Sequence, residues 1–325
     1  MKKIFITGGA GYVGTVLTEN LLELGHEVTV YDCFLYGNNL PNNNKLKLIK
    51  GDIRDIKKIT KSLKGHEIFI HLACISNDPS FELNPILGKE INFDCFEPIV
   101  KAAKNSSINH FIYASSSSVY GIKEELNVIE SMELSPLTDY SRFKADCENI
   151  LLNNTDNDFI TTILRPATVC GFSSRLRLDL VVNILTNHAF YNQAINVYGG
   201  NQLRPNIHIN DMVDSYVLLI NNTSNLKNGE IYNVGNQNYT VNDIANIVKN
   251  EIGNNVTINH ENTDDNRSYH ICSKKIKSDL GYIPKRGIEL AVNDIIGYFR
   301  KYEFTDTFTN PIFHNIKRMT ELNMK

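Results

Sequence analysis

A run of four serines, Ser115–Ser118, lies between the apolar stretch HFIYA and a Tyr-Gly pair. Further along, DYSRFKAD places Tyr140 and Lys144 four residues apart, so both side chains face the same side of a helix. This trio suits hydride transfer at a secondary alcohol, because the alcohol must also lose a proton to a base within hydrogen-bond reach. Each feature alone has an ordinary explanation, strand-end capping for the serines and chance for the Tyr-x-x-x-Lys spacing.

A tyrosine is a weak base at neutral pH because its ordinary pKa is about 10. Its phenolate must be stabilised by about 4 kcal/mol to lower that pKa by about 3 units. We expect the Lys144 ammonium and a positively charged nicotinamide ring to supply this stabilisation for Tyr140. The trio therefore predicts a nicotinamide cofactor nearby.

A glycine-rich turn follows the first apolar run. TGGAGYVG places Gly8, Gly11 and Gly14 at three-residue spacing, and Gly9-x-Gly11-x-x-Gly14 satisfies the dinucleotide fingerprint. Glycine is needed there because a Cβ would block the tight turn and the approach of a pyrophosphate to the helix N-terminus. A sharp turn that binds nothing is the alternative interpretation.

Two aspartates follow the next two predicted strands. Asp32 comes about 20 residues after the glycines, where a carboxylate accepts hydrogen bonds from ribose hydroxyls and repels a 2′-phosphate. This position favours NAD over NADP. Asp52, in GDIRD, either reaches the adenine amino group or caps the next helix.

The elements that would position these residues alternate in type along the first half. Apolar runs such as KKIFITG, EVTVYD and IFIHLA are typical of strands covered on both faces, and helical patterns separate them. This order predicts an α/β fold with a doubly wound parallel (Rossmann) sheet, in which the serine run and the Tyr140 helix emerge on the same side. The predicted helices are Tyr12–Leu24, Pro85–Lys104, Thr138–Leu152, Asp211–Ile220, Val241–Ile252 and Ile288–Lys301.

The pattern loosens after about residue 165. The short strand-like pieces AINVYG, NIHI, EIYNVG and VTINH alternate with helices and indicate a second, smaller mixed α/β domain. We predict an NAD-binding domain over residues 1–165 and a mainly substrate-binding domain over residues 166–325, parts of which can return to the sheet. The cleft between the two is the expected ligand site.

Composition excludes several classes of function. The 33 basic and 36 acidic side chains give a net charge of −3, which provides no field for nucleic acid. The six cysteines form no CxxC pair, so we expect neither a metal site nor a disulfide framework. No run of 18 apolar residues or signal peptide is visible, so we expect no membrane partner and a cytoplasmic location.

Together, TGGAGYVG, GDIRD, HLAC, ASSSSVYG, YSRFK and LRPATVCG resemble, in this order and spacing, the extended short-chain dehydrogenase/reductases that act on nucleotide sugars. The resemblance extends from Lys2 to about Arg300 and includes RPNIHINDM and LGYIP. It implies that Ser116, four residues before the tyrosine of the Tyr-Gly pair, is the catalytic hydroxyl beside Tyr140 and Lys144. The other three serines are then expected to be structural.

The resemblance also implies two sets of ligand contacts. The residues expected to contact NAD are Gly8, Gly11, Tyr12, Val13, Gly14, Asp32, Asp52, Ile53, Leu72, Ala73, Asn92, Tyr140, Lys144 and Pro166. The residues expected to contact a nucleotide-sugar substrate are Ser76, Asn77, Ser116, Asp179, Asn183, Arg204 and Arg267. The two arginines would clamp the pyrophosphate, although either could instead form a surface ion pair.

Dehydration is not the expected reaction, because sugar-nucleotide 4,6-dehydratases carry Asp-Glu directly after the catalytic residue. Here Ser117 and Ser118 stand at those positions. Oxidation at one carbinol, most often C4, remains, and the residues leave open whether the ketone is released (4-dehydrogenase) or reduced from its other face (4-epimerase).

Subgroup features point in two directions. The segments HLACISNDPSFELNP and RLRLDLVVN are similar to GDP-heptose 4-dehydrogenases of capsule polysaccharide biosynthesis. The run GFSSRLRLDLVVN departs from the usual epimerase pattern, and Thr168 replaces a common asparagine. A UDP-hexose 4-epimerase is the alternative, and a non-catalytic NAD sensor is a third. The helices from Pro85 and around Tyr140 build a dimer in relatives, so we expect a homodimer.

Overall fold

The computed structural model describes residues 1–125, 127–253, 255–263, 268 and 270–324. Its strands are β1 Lys3–Thr7, β2 Glu27–Asp32, β3 Leu46–Lys50, β4 Ile68–His71, β5 His110–Ala114, β6 Ile160–Pro166, β7 Thr168–Cys170, β8 Ala194–Tyr198, β9 Leu203–His208, β10 Glu230–Val234, β11 Gln237–Thr240 and β12 Thr257–Glu261. Its α-helices are α1 Tyr12–Glu23, α2 Ile56–Ser62, α3 Asp78–Glu82, α4 Pro85–Lys89, α5 Phe96–Lys104, α6 Asp139–Asn153, α7 Val181–Asn192, α8 Ile209–Asn221, α9 Val241–Ile252, α10 Lys274–Leu280, α11 Ile288–Tyr302 and α12 Asn315–Glu321.

A seven-stranded parallel sheet with helices on both faces confirms the predicted doubly wound α/β fold. Its strand order is β10-β6-β5-β4-β1-β2-β3. The order reverses between β4 and β1, so the chain leaves these neighbouring strands in opposite directions and opens a crevice at their carboxyl ends. The serine run follows β5 and the glycine turn follows β1, so both reach this edge.

Both faces of β1 are covered, which explains why three consecutive residues in its centre are apolar. Ile4 and Ile6 belong to the core on one face of the sheet, and Phe5 belongs to the core on the other. All three are fully buried, as expected of a central strand whose successive side chains point to opposite faces. The edge strand β3 differs, since Leu48 is 40% exposed.

The second half of the chain supplies two smaller sheets, β11-β9-β7 and β12-β8. Helices α7, α9 and α11 pack together over a separate core. Strand β10, however, pairs in parallel with β6, with Glu230 opposite Thr162, and so returns to the main sheet. The boundary after residue 165 stays a prediction.

Five of the predicted helices are found within two residues of their expected ends, but the Pro85–Lys104 helix is not continuous. A π-helical turn at Glu90–Asp94 separates α4 from α5. Pro98 has no backbone N–H and so cannot form the helical hydrogen bond to the residue four positions earlier. It lies in the first turn of α5, where the N–H groups have no partner within the helix. The chain therefore starts a new helix there.

The segment after α11, for which the sequence gives no prediction, folds back onto the rest of the molecule. Phe313 packs with Leu176 and Leu178, and Met319 packs with Phe81 and Phe143. Within the described ranges, no helix combines the length and apolarity needed to cross a bilayer.

Candidate active site

A cavity of about 630 Å³ occupies the crevice at the carboxyl edge of the sheet. Its walls come from the glycine turn, the segments that follow β2, β4 and β5, the segment after β7, and α12. Residues more than 300 positions apart in sequence, such as Gly8 and Asn315, share this one space. The parts predicted separately for a cofactor and for a substrate therefore meet in a single cavity.

The glycine turn is shaped to receive a group against the N-terminus of α1. Gly8 has φ +75°, and a Cβ there would lie 2.6 Å from the backbone nitrogen of Ala73. A Cβ on Gly14 would lie 2.2 Å from the Gly8 carbonyl oxygen. Gly11 caps α1 without any side-chain hydrogen bond, so the first-turn N–H groups remain for an anion. A pyrophosphate fits this cradle.

Asp32 lies at the end of β2, on the cavity wall. It accepts hydrogen bonds from the N–H groups of Ala10 at 3.0 Å and Phe34 at 2.8 Å. Burial raises the pKa of this carboxyl group. Each oxygen can accept a further hydrogen bond, which is the chemistry that ribose hydroxyls require.

Asp52 also lines the cavity, but it does not cap a helix. Its carboxylate pairs with Arg54 at 2.7 Å, while Asp55 caps α2 by accepting from the Lys58 N–H at 3.0 Å. The capping alternative for Asp52 is therefore wrong. The other predicted NAD contacts that line the cavity are Gly8, Gly11, Tyr12, Val13, Gly14, Ile53, Leu72, Ala73, Tyr140 and Pro166.

Ser116 and Tyr140 line the same cavity, whereas Lys144 is buried and does not line it. The Lys144 ammonium donates to the Ala114 carbonyl oxygen at 2.7 Å. It lies 5.9 Å from the centre of the Tyr140 ring and 4.9 Å from that of Tyr113. The structure thus places Lys144 beside both the Tyr140 ring and the end of β5, and it places Ser116 on the same cavity as Tyr140.

A buried ion pair holds α6 against the serine run. Glu148, one turn after Lys144 on the same helix face, pairs with Arg165 of β6 at 2.6 Å. Arg165 also donates to the Tyr120 hydroxyl at 2.8 Å, and Ser115 donates to Glu148. Helix α6 is therefore tied to both ends of the turn that contains Ser116, the predicted catalytic serine.

A chain of hydroxyl groups leads away from Ser116. Its Oγ lies 2.9 Å from Ser118 Oγ, which accepts from Ser141 Oγ at 2.8 Å. Thr138 Oγ1 lies 3.1 Å from Ser141 Oγ and donates to Asp78 at 2.5 Å. Ser118, expected to be only structural, thus contacts the predicted catalytic hydroxyl directly.

The protein groups around Tyr140 raise the pKa of its phenol on balance. Burial raises the pKa of the phenol above its usual value, the charges of Cys74 and Asp78 raise it further, and Arg177 lowers it. The expected sources of positive charge were Lys144 and a nicotinamide ring together, so a lowered pKa of Tyr140 with NAD bound stays a prediction.

Four of the predicted substrate contacts, in addition to Ser116, line the cavity. They are Ser76, Asn77, Asp179 and Arg204. Asp179 accepts from Arg177 at 2.8 Å, and although burial opposes the charge, this guanidinium keeps the pKa of Asp179 below its usual value. Asn77 has φ +75° and caps α3 with its side chain.

Two predicted contacts point elsewhere, and one lies outside the described residues. Asn92 exchanges two hydrogen bonds with the backbone of Ile75, at 2.8 and 2.9 Å. Asn183 bonds the Gly171 N–H at 3.1 Å and the Arg177 carbonyl at 2.8 Å. Neither lines the cavity, because both amides are used to hold its loops. Arg267 is the one outside the described part of the chain.

Several lining residues escape prediction from sequence, among them Arg175 and Arg177. A signal was available in RLRLDL, where charged residues alternate with leucines in an otherwise apolar region. Asn315, Met319 and Met324 also line the cavity. No local pattern marks these three.

Comparisons with known proteins agree with this geometry. Residues 4–235 match the model of the NAD dependent epimerase/dehydratase family. A UDP-glucose 4-epimerase of Lactobacillus helveticus is 25% identical over 87% of this chain and 92% of the relative, and one of Corynebacterium glutamicum is 25% identical over 87% and 91%.

Solved structures add a likeness of fold. A dTDP-glucose 4,6-dehydratase from Streptomyces venezuelae, with NAD bound, is superimposed with a TM-score of 0.83 at 20% identity, covering 93% of this chain and 98% of the other.

The family match covers most of the chain and includes the glycine turn, Ser116, Tyr140 and Lys144. It confirms the predicted cofactor, NAD, and the predicted class, an NAD-dependent enzyme of nucleotide sugars. The chain belongs to the NAD dependent epimerase/dehydratase family.

Proposed function

We propose that this chain is a nucleotide-sugar 4-epimerase, which oxidises the C4 carbinol of a nucleoside-diphosphate sugar and reduces the ketone from its other face. The observation that carries the proposal is that Ser116 and Tyr140 line the same cavity as the glycine turn. Relatives that bear the name UDP-glucose 4-epimerase align with 87% of this chain and favour return of the hydride over release of the ketone.

Tyr140 handles the proton of the reacting alcohol. Bound NAD supplies the hydride acceptor and a positive ring charge in the cavity. The Tyr140 phenolate takes the C4 hydroxyl proton as the C4–H bond breaks and a C=O bond forms, and it returns that proton when the ketone is reduced. Because burial raises the pKa of Tyr140, this base forms only when positive charge offsets the burial.

Ser116 acts as a hydrogen-bond donor to the same substrate oxygen. Thr138 gives its hydrogen to Asp78, and Ser141 gives its hydrogen to Ser118. The Ser116 and Ser118 hydroxyls lie 2.9 Å apart and either can donate; in the proposed arrangement Ser118 donates to Ser116, whose oxygen also accepts from the Ser118 N–H at 3.2 Å. The Ser116 hydrogen is left to point into the cavity, toward the oxygen whose charge develops during hydride transfer.

Dehydration has no support in the site. The two positions after Ser116 are Ser117, which is buried, and Ser118, which belongs to the hydroxyl chain. A hydroxyl group cannot exchange protons near neutral pH as a carboxylate pair does. The sugar keeps its oxygen atoms in the proposed reaction.

Arg204 is the proposed contact of the substrate diphosphate, because it lines the cavity and its guanidinium suits a pyrophosphate.

The proposed assembly is a homodimer that would pair α4, α5 and α6 with their copies. Ile86, 75% exposed on α4, supports this assignment.

A GDP-heptose 4-dehydrogenase of capsule biosynthesis is the second candidate. The run GFSSRLRLDLVVN, which departs from the usual epimerase pattern, forms a wall of the cavity through Arg175, Arg177 and Asp179. Such a wall would select a different sugar or hold the ketone in one orientation, so that it leaves without reduction.

A panel of substrates distinguishes the two. The purified protein is incubated with NAD and with UDP-glucose, UDP-galactose or GDP-heptose, while reduced nicotinamide is followed by absorbance and C4 stereochemistry by NMR. Inversion at C4 without net reduced cofactor supports the epimerase, and a 4-ketosugar with equal reduced cofactor supports the dehydrogenase. Turnover that survives Tyr140→Phe, or no reaction with any sugar nucleotide, would overturn the proposal.

A further inference from the structure

The C-terminal segment reaches the cavity wall through a buried asparagine, Asn315. This residue is 4% exposed and lies well beyond the part of the chain that matches the family model. On one side of it, Phe313 packs with Leu178 and accepts from the Leu178 N–H at 2.9 Å. On the other side, Met319 packs with Phe81. These contacts hold Asn315 in place from both sides.

The orientation of the Asn315 amide is set by its neighbours. Its Oδ1 accepts from Arg175 Nη2 at 2.6 Å. A guanidinium group can only donate, so the amide oxygen must face Arg175 and the amide nitrogen must face the other way. Asn315 Nδ2 lies 3.1 Å from Ser76 Oγ and 3.4 Å from the Ser76 carbonyl oxygen. Asn315 is therefore a hydrogen-bond donor to Ser76.

Ser76 is left with a hydrogen to donate. A hydroxyl group has one hydrogen and two lone pairs that accept. Arg177 Nη1 and Asn315 Nδ2 each donate to Ser76 Oγ at 3.1 Å, so both lone pairs are used, and within the described residues no acceptor takes the Ser76 hydrogen. Because Ser76 lines the cavity and is partly exposed, this hydrogen is available to a ligand.

Asp179 presents the opposite polarity on the same wall. Its Oδ1 accepts from Arg177 Nε at 2.8 Å, and its Oδ2 accepts from the Asn315 backbone N–H at 2.9 Å. Each carboxylate oxygen can accept a second hydrogen bond, and Asp179 lines the cavity. Ser76, Arg177, Asp179 and Asn315 thus form a closed ring of hydrogen bonds, the polar ring, which offers the cavity one donor and one acceptor.

The polar ring lies on the side of the cavity that holds the reacting groups. Burial raises the pKa of the Tyr140 phenol and the charge of Arg177 opposes that rise, so these two side chains are close to one another. A donor beside an acceptor matches hydroxyl groups, which both accept and donate. In the proposed reaction, the groups next to the reacting carbinol are the hydroxyls of the sugar. The polar ring therefore suits the sugar rather than the nucleotide.

We propose that Asn315 is a positioning residue for the sugar of the substrate, which holds Ser76 as a hydrogen-bond donor and Asp179 as an acceptor towards the sugar hydroxyls. The C-terminal segment, through this residue, then determines which sugars the cavity accepts. The identity of the ligand as a sugar nucleotide rests on the proposed function.

Asn315→Asp changes the polarity of the ring and keeps its shape. The new carboxylate retains an acceptor for Arg175, but it takes the Ser76 hydrogen instead of donating to Ser76. Calorimetry with NAD bound compares UDP with UDP-glucose and GDP with GDP-heptose, because the ratio of the two affinities for each base isolates the sugar. We expect Asn315→Asp to lower this ratio by about ten-fold for the sugar that binds, which corresponds to one lost hydrogen bond. The affinities for UDP and GDP should stay within about two-fold.

Asn323→Asp is the matched control, since it makes the same chemical change at an exposed position of the same segment. It should leave every affinity unchanged. An unchanged ratio in Asn315→Asp would overturn the proposal, and so would a wild type that binds neither sugar nucleotide. Equal losses for the sugar nucleotide and its nucleoside diphosphate would make Asn315 a purely structural residue and would also overturn it. The proposed function fails by a different result, the absence of C4 inversion in the substrate panel, because the binding ratio requires no turnover.

Ser76→Ala keeps the test decisive if Asn315→Asp alters stability, which thermal unfolding without ligand measures. This second variant removes the donor itself and should lower the same affinity ratio by a similar factor. In the double variant the two losses should not add, because both substitutions remove one and the same hydrogen bond to the sugar. Losses that add would show that Asn315 acts independently of Ser76 and would refute the proposal.

Discussion

The buried pair of Glu148 and Arg165 joins the helix that carries Tyr140 and Lys144 to the sheet. Replacing Glu148 with alanine removes the acceptor for Arg165 Nε and Nη2, whereas Nη1 keeps its bonds. Glu148 accepts from two Arg165 nitrogens through three contacts, and at about 1.5–3 kcal/mol for each nitrogen this predicts a loss of about 3–6 kcal/mol; the Ser115 hydroxyl loses its acceptor as well. This range agrees with the about 3–5 kcal/mol found when one partner of a buried pair is removed.

Urea unfolding followed by circular dichroism measures this loss. A double-mutant cycle with Arg165→Met should show the double variant less destabilised than the sum of the single variants, because no unpaired charge remains buried. Asp139→Asn is a control on the same helix, since its pair with Arg142 is exposed and should contribute below about 1 kcal/mol. Additive single effects, or a loss below about 1 kcal/mol for Glu148→Ala, would refute the reasoning.

Four further predictions concern the site and its surroundings. Tyr140→Phe should lower turnover by about 10²–10⁴-fold while fluorescence titration still detects NAD binding; near-normal turnover would exclude Tyr140 as the base. Asp32→Ala should lower the ratio of kcat/KM with NAD to kcat/KM with NADP, and an unchanged ratio would exclude a contact between Asp32 and the ribose. Ser118→Ala should slow single-turnover reduction by about 2–10-fold, and an unchanged rate would contradict the ordering of the hydroxyl chain. Burial lowers the pKa of His71 and His110 to about 3, so below about pH 6.5 the unfolded state binds protons that the folded state does not. The free energy of unfolding should therefore fall by about 1.4 kcal/mol per pH unit for each histidine as the pH drops below about 6.5. A urea-unfolding series that shows no change with pH would contradict this prediction.

Features set by short stretches of chain could be predicted from sequence. The turn around Gly8 requires a residue without a side chain, because a Cβ there would collide with Ala73. The i, i+4 spacing of Tyr140 and Lys144 places both on one face of α6 wherever that helix packs. The sheet follows in the same way from apolar runs separated by helices, since parallel neighbours need crossovers.

Prediction from sequence is weakest where a side chain has a choice of partners. Asn92 and Asn183 have amides suited to ligands, but the folded chain uses them to hold backbone loops. Asp52 could cap a helix, but the residue three positions later does so. Residue spacing shows which side chains are available near a site, but it does not show which hydrogen-bond partner each side chain binds in the folded protein.

By itself, the sequence determines the doubly wound fold, the glycine cradle and the family to which the chain belongs, because apolar runs, turn glycines and motifs are short local segments whose order along the chain can be read directly. Only the tertiary structure decides what surrounds the reacting groups. Asn315 meets Ser76 across 239 positions, and Arg175 meets Tyr36 from the far half of the chain. Such contacts depend on how separate elements pack, and no periodicity or spacing in the chain records them.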